Sequence, residues 1–193
     1  MDNLTGNDNT TGNAIENAGE RAEVLLIGGR SGVGKSSVGW EVAARLRAAD
    51  IGHALIEGDL LDAVHPAPTG DPDRSGITER NLAAVWANYR ALGCHRLVYT
   101  NTASVLPSEE QLFAKAMDGP RIIRVLLTAT DATAEQRLTA REVGSELEQQ
   151  LRRSAYMARH LDDHVGPGTH RIATDDRGLR EIAAEVVRVT GWE

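Results

Sequence analysis

Five short apolar runs punctuate the chain, at residues 24–28, 53–57, 96–100, 121–128 and 170–174, with longer stretches of three-to-four-residue apolar spacing between them. Runs of this length bounded by Gly, Asp and Asn read as buried strands, and the longer stretches as amphipathic helices. The spacing predicts helices over 34–49, 78–92, 108–117, 132–141, 146–161 and 179–190. Strands alternating with helices specify an α/β fold, here a three-layer α/β/α sandwich on a five-stranded parallel sheet. Within 78–92, Leu82, Val85, Trp86, Tyr89 and Leu92 fall at helical spacing and are assigned mostly to the core. Ser108 and Gln111, after Pro107, have the spacing of a capping box. Residues 66–76, with three prolines and two glycines, read as an irregular loop.

In such sheets ligands bind beyond the carboxyl ends of the strands, so the residues that follow each strand carry the chemistry. After the first strand comes GRSGVGKS, residues 29–36, a full match to GxxxxGK[ST] between a strand and a helix. Glycines let such a backbone curl until its N–H groups converge on phosphate oxygens, above the positive end of the following helix. Gly29, Ser31, Gly32, Val33, Gly34, Lys35, Ser36 and Ser37 are therefore candidate nucleotide-binding residues. Lys35 supplies a point charge for the outer phosphates, and the Ser36 hydroxyl is a ligand for Mg²⁺.

Composition sharpens this reading. Only Lys35 and Lys115 are lysines among 21 basic residues, so the chain uses arginine for generic positive charge and lysine in the loop stands out. The 193 residues suit one globular domain, expected over 23–193, and 41% are hydrophobic, enough for a core. A net charge of −7 disfavours a nucleic-acid partner. Cys94 is the single cysteine, which excludes an internal disulfide and fits a reducing cytoplasm. Residues 1–22 are rich in Asn, Thr and Gly with no apolar stretch, so a disordered tail is expected there, and neither a signal peptide nor a membrane anchor.

The second strand is followed by IEGDLLDAVHP, residues 56–66. Asp59 falls where a substrate would face the phosphates; it either accepts a proton from an attacking hydroxyl, holds Mg²⁺ through water, or caps a helix. Asp62 and His65 lie close in sequence, His65 reading best as a turn residue. With these motifs the chain resembles the small P-loop kinases, the group of nucleoside-monophosphate, shikimate, gluconate and adenylylsulfate kinases and chloramphenicol phosphotransferase. The loop at 29–36 carries most of the likeness, and Gly58, Asp59, His65 and Pro66 resemble the gluconate-kinase substrate segment with altered spacing.

The resemblance implies a P-loop NTPase fold with a helical lid near 141–152, and Mg-ATP as phosphoryl donor. It also implies roles for RLTARE, residues 137–142: Arg137 stacking on the adenine and Arg141 reaching the transferring phosphoryl group. A solvated basic face is the alternative for this pair, and Arg152, Arg153 and Arg159 are further basic candidates. Thr174, Asp175 and Asp176 loosely resemble the loop that walls the adenine, or else cap the last helix. One departure stands out: the third strand ends in Asn101, where many P-loop proteins place an Asp for the metal. Metal binding then falls to Ser36, Asp59 and the nucleotide, while Asn101 and Thr102 become candidate acceptor contacts.

Other features read as structural. His160 and His164 are four apart but lack an evident third metal ligand, Cys94 reads as core, and Arg80 and Asn81 as helix surface with a possible substrate contact. The function implied is an ATP-dependent phosphotransferase acting on a hydroxyl or phosphate of a small molecule, with Lys35, Asp59 and Arg141 as catalytic residues. The alternative is a non-catalytic ATP-binding switch, or a protein that sequesters a small molecule such as an antibiotic. A GTPase is disfavoured because neither lysine lies in an NKxD motif. Neither a nucleic-acid nor a membrane partner is expected, and the acceptor's identity and a monomeric or homodimeric state stay open.

Overall fold

A computed structural model describes residues 20–141 and 147–192, without the side chain of Arg141. The expected tail thus falls mostly outside the described residues, as does the start of the expected lid, 142–146. The elements run β1 (Glu23–Gly28), α1 (Lys35–Ala48), β2 (Ala54–Glu57), α2 (Ser75–Ala91), β3 (Arg96–Thr100), α3 (Glu110–Ala116), β4 (Arg121–Thr128), α4 (Asp131–Arg141), α5 (Leu147–His164), β5 (His170–Ala173) and α6 (Leu179–Thr190). The five strands form one sheet in the order β2-β3-β1-β4-β5, and every pairing is parallel.

The central strands are buried on both faces, which is why they read as continuous apolar runs rather than alternating ones. Along β1, Val24 and Leu26 pack in one cluster with Trp86 of α2, Phe113 of α3 and Leu161 of α5. Leu25 and Ile27 face the other way, against Val38 and Val42 of α1 and Ile182 and Val186 of α6. Each fully buried Leu or Ile of this kind contributes roughly 1.5–3 kcal/mol. Both clusters therefore anchor β1, whose carboxyl end carries the glycine-rich loop.

Three features depart from the sequence expectation by more than a residue. Helix α2 begins at Ser75 rather than 78, because the Asp71 carboxylate accepts hydrogen bonds from the amides of Gly76 (3.0 Å) and Ile77 (2.8 Å) and caps the extra turn. The Gly76 bond leads the effects that hold the Asp71 carboxyl below its ordinary pKa. Helix α5 continues to His164, so the His160 and His164 rings stack with centroids 4.3 Å apart. The capping box does not form: Pro107 starts a separate 3-10 turn over Pro107–Glu109, and the Ser108 hydroxyl contacts Glu109 Oε1 instead of a backbone amide.

Candidate functional site

The loop after β1 is shaped by glycine. Gly29 has φ 142° and a Cβ there would lie 2.6 Å from the Leu127 carbonyl oxygen; Gly32 has φ 84° and its Cβ would meet the Ala134 carbonyl at 2.7 Å. No side chain but hydrogen satisfies both conditions. Val33 is buried and anchors the loop in the core, while Ser31, Ser36 and Ser37 are exposed at its rim. Lys35 Nζ donates to the carbonyls of Gly29 (2.9 Å) and Arg30 (3.3 Å), which lays the ammonium along the inside of the loop. Gly34, with φ 100°, precedes the first turn of α1.

The loop is braced from α4 and α5 by a side chain the sequence reading passed over. Arg30 is only 5% exposed; its Nε donates to Ser154 Oγ at 2.9 Å and its guanidinium pairs with the Asp131 carboxylate. Ser154, itself buried, donates onward to the Ser31 carbonyl at 2.8 Å. Two α5-to-loop bonds thus run through one serine hydroxyl. The signal in the sequence was an arginine in the loop between a buried strand and a helix, and no spacing rule points from it to Ser154.

A second omission is Glu57, the last residue of β2. Its carboxylate accepts from Ser36 Oγ (3.0 Å) and from Trp40 Nε1 (2.8 Å). A carboxylate beside the loop serine carries the negative charge that Asn101 lacks. Its place at the carboxyl end of a strand, two residues before Asp59, was the available clue.

Asp59 sits in a 3-10 turn over Gly58–Leu60 and caps no helix by its side chain; its carboxylate accepts from Asn101 Nδ2 at 2.7 Å. Asn101 is fixed in turn by the Ala103 amide, which donates to its Oδ1 at 3.0 Å. Asp59 and Asn101 border a cleft of about 790 Å³ whose other walls include Ser31, Asp62, Arg74, and Gln150 and Arg153 from α5. Arg74 adopts a left-handed backbone, φ 62°, just before α2. Thr102 also lines the cleft.

On the opposite side of the loop, Arg137 donates to the Val33 carbonyl (3.3 Å), to Thr174 Oγ1 (3.0 Å) and to the Thr174 carbonyl (3.0 Å). The structure brings Arg137 and Thr174 together at the loop's outer edge. Asp175 accepts from the Thr130 amide at 3.0 Å and its hydroxyl at 2.9 Å. With the Thr133 hydroxyl as the leading cause and the Thr130 amide next, its carboxyl is lowered to about 2.

Other candidates are not gathered here. Arg141 ends α4, its side chain outside the described residues. His65 is exposed, Asn81 donates to the Leu61 carbonyl at 2.6 Å, and Arg152 pairs with Glu148 on its own helix. Arg159 lines a separate cavity with Arg30 and Asp162. Cys94 is half-buried against the core and donates to the Arg96 carbonyl, and burial raises its thiol pKa. Among the described residues no three His, Cys, Asp or Glu side chains are placed to share a metal ion.

No protein-family model matches the sequence, and no curated protein matches it. Solved structures do. A gluconokinase from Sinorhizobium meliloti 1021 aligns at 21% identity over 89% of this chain and 93% of its own, with a TM-score of 0.59. The APS kinase CysC of Mycobacterium tuberculosis, solved with AMPPNP and APS, aligns at 24% identity over 89% and 98%, with a TM-score of 0.56. A shikimate kinase from Bacteroides thetaiotaomicron aligns at 12% identity over 88% and 98%, with a TM-score of 0.58. This chain shares the fold of the small P-loop kinases, as its loop motif implied. No helix among the described residues is long and apolar enough to cross a membrane.

Proposed function

We propose that the protein is an ATP-dependent small-molecule kinase. One observation carries this reading: a single cleft is lined by Ser31 of the glycine-rich loop on one side and by the Asp59–Asn101 pair on the other. A donor held by the loop and an acceptor held at Asp59 then face each other across that space.

The loop amides and Lys35 bind the triphosphate, with Arg137 and Thr174 at the base side. Ser36 and Glu57, bonded to each other at 3.0 Å, would hold a divalent cation, which would neutralise charge on the phosphates. Asp59, oriented by Asn101, takes the proton of the acceptor hydroxyl as its oxygen bonds to the γ-phosphorus; the bond from that phosphorus to the bridging oxygen breaks and ADP leaves. Lys35 stabilises the charge spreading over the transferring group, and Arg141 joins it from the end of α4. Such reactions rest almost wholly on positioning and electrostatics, and water must be kept out or ATP is hydrolysed. The segment around 141–152, which leads into α5, is the lid in this reading.

Asp59→Asn tests the assignment of the base. It is expected to lower the rate of acceptor-dependent ADP release by roughly 10²–10⁴-fold, with MgATP affinity little changed. A variant that turns over at the wild-type rate removes Asp59 from this role.

A further inference from the structure

Beneath the main cleft lies a second cavity of about 220 Å³, and the two share Asp62 and Asn101 in their linings. The smaller one is lined by Asp62, Asp73 and Glu109, by the hydroxyl-bearing Thr78 and Ser104, and by Tyr99. No Lys or Arg lines it; the cations Arg74 and Arg153 belong to the larger cleft above. Three carboxylates facing one space without a cation repel one another, and burial followed by the charge of Asp73 raises the Glu109 carboxyl pKa.

Tyr99 gives an independent sign that this space is made for a ligand. The residue is 2% exposed, its ring packs edge-on against Phe113, and its hydroxyl makes no hydrogen bond among the described residues. Burial, with the charges of Asp59 and Asp62 behind it, pushes the phenol pKa far up, so it is a neutral O–H donor at all working pH values. The hydroxyl opens on the cavity, where the oxygen of a bound molecule can accept its hydrogen. Gly58 makes room for it: a Cβ there would lie 2.2 Å from the Tyr99 oxygen.

The geometry points to an amine-bearing, hydroxyl-rich acceptor, an amino sugar or aminocyclitol, whose ammonium sits among Asp62, Asp73 and Glu109 and whose oxygen accepts from Tyr99. An ammonium carries three donors and no acceptor, the complement of a lining of carboxylates and hydroxyls without a cation. The ring's hydroxyls then rise toward Asn101 and Asp59. This assignment rests on the kinase reading for its outcome, phosphorylation, and on the cavity alone for the binding preference.

The two are separated by measuring binding to the full chain by calorimetry without nucleotide, using glucosamine and 2-deoxystreptamine against glucose, myo-inositol and gluconate. The amine probes are expected to bind about tenfold or more tightly than the neutral and carboxylate ones. Glu109→Gln is expected to weaken the amine probes about tenfold, and Tyr99→Phe to weaken them severalfold, with the neutral probes less affected by Glu109→Gln. Equal affinity for glucose and glucosamine, a preference for gluconate, or no binding of either amine overturns the proposal. MgATP affinity, measured in parallel, bears only on the kinase reading: its loss would remove that reading and leave the amine comparison intact.

Discussion

The two walls of the cleft are made differently. The phosphate wall is backbone, held by glycines that admit no substitute and tied by Arg30 and Ser154 to α4 and α5. The acceptor wall is side chain, with the Asp62 carboxylate accepting no hydrogen bond among the described residues and the Tyr99 hydroxyl donating none. A backbone site fits one chemical group, the phosphate, whatever the rest of the ligand; a side-chain site is retuned by single substitutions. In the proposed kinase reading, the fold would thus be committed to its donor and adjustable toward its acceptor.

Breaking the phosphate wall at its charge should give the largest effect. Lys35→Ala is expected to reduce turnover on the order of 10³-fold while the protein stays folded, read by ADP release beside a thermal melt. Gly32→Ala attacks the same wall through its shape: with φ at 84° and a carbonyl 2.7 Å from the new Cβ, it should cost about 1–3 kcal/mol of stability by denaturant unfolding. Unchanged stability would mean that the loop relaxes and is less constrained than its acceptor counterpart. Ser154→Ala sharpens the contrast, since it severs the brace from α5. It should cost about 1 kcal/mol and raise KM for ATP more than KM for the acceptor.

The smallest effect belongs to Asp175. Its folded pKa of about 2 lies below the ordinary 3.8, so its contribution is fully present above pH 3.8 and disappears as pH falls toward 2. Asp175→Asn should lower stability slightly at neutral pH and thereby flatten the acid limb of the profile in that window, the effect staying small because solvent screens the carboxylate.

The same division explains what could be read in advance. GRSGVGKS was legible as a phosphate-loop motif, because such a motif uses consecutive residues whose glycines are dictated by backbone geometry. The strand pattern was equally plain, since β1, β3 and β4 are buried on both sides. Glu57 escaped notice because its meaning comes from Ser36 and Trp40, 21 and 17 residues away, and Arg30 because its partner Ser154 is 124 residues distant. Tyr99 looked like strand core, and its ring is; only the cavity reveals what its hydroxyl faces. Side-chain sites assembled across strands have no local spacing to read.

Of the three tryptophans, Trp86 and Trp192 are 4% and 3% exposed, whereas Trp40 is 56% exposed with its indole bonded to the carboxylate that also receives Ser36. Indole emission follows the polarity and hydrogen bonding around the ring, so the chain carries an intrinsic optical reporter one contact removed from its glycine-rich loop. Arrival of the proposed nucleotide there would be legible by fluorescence without any label.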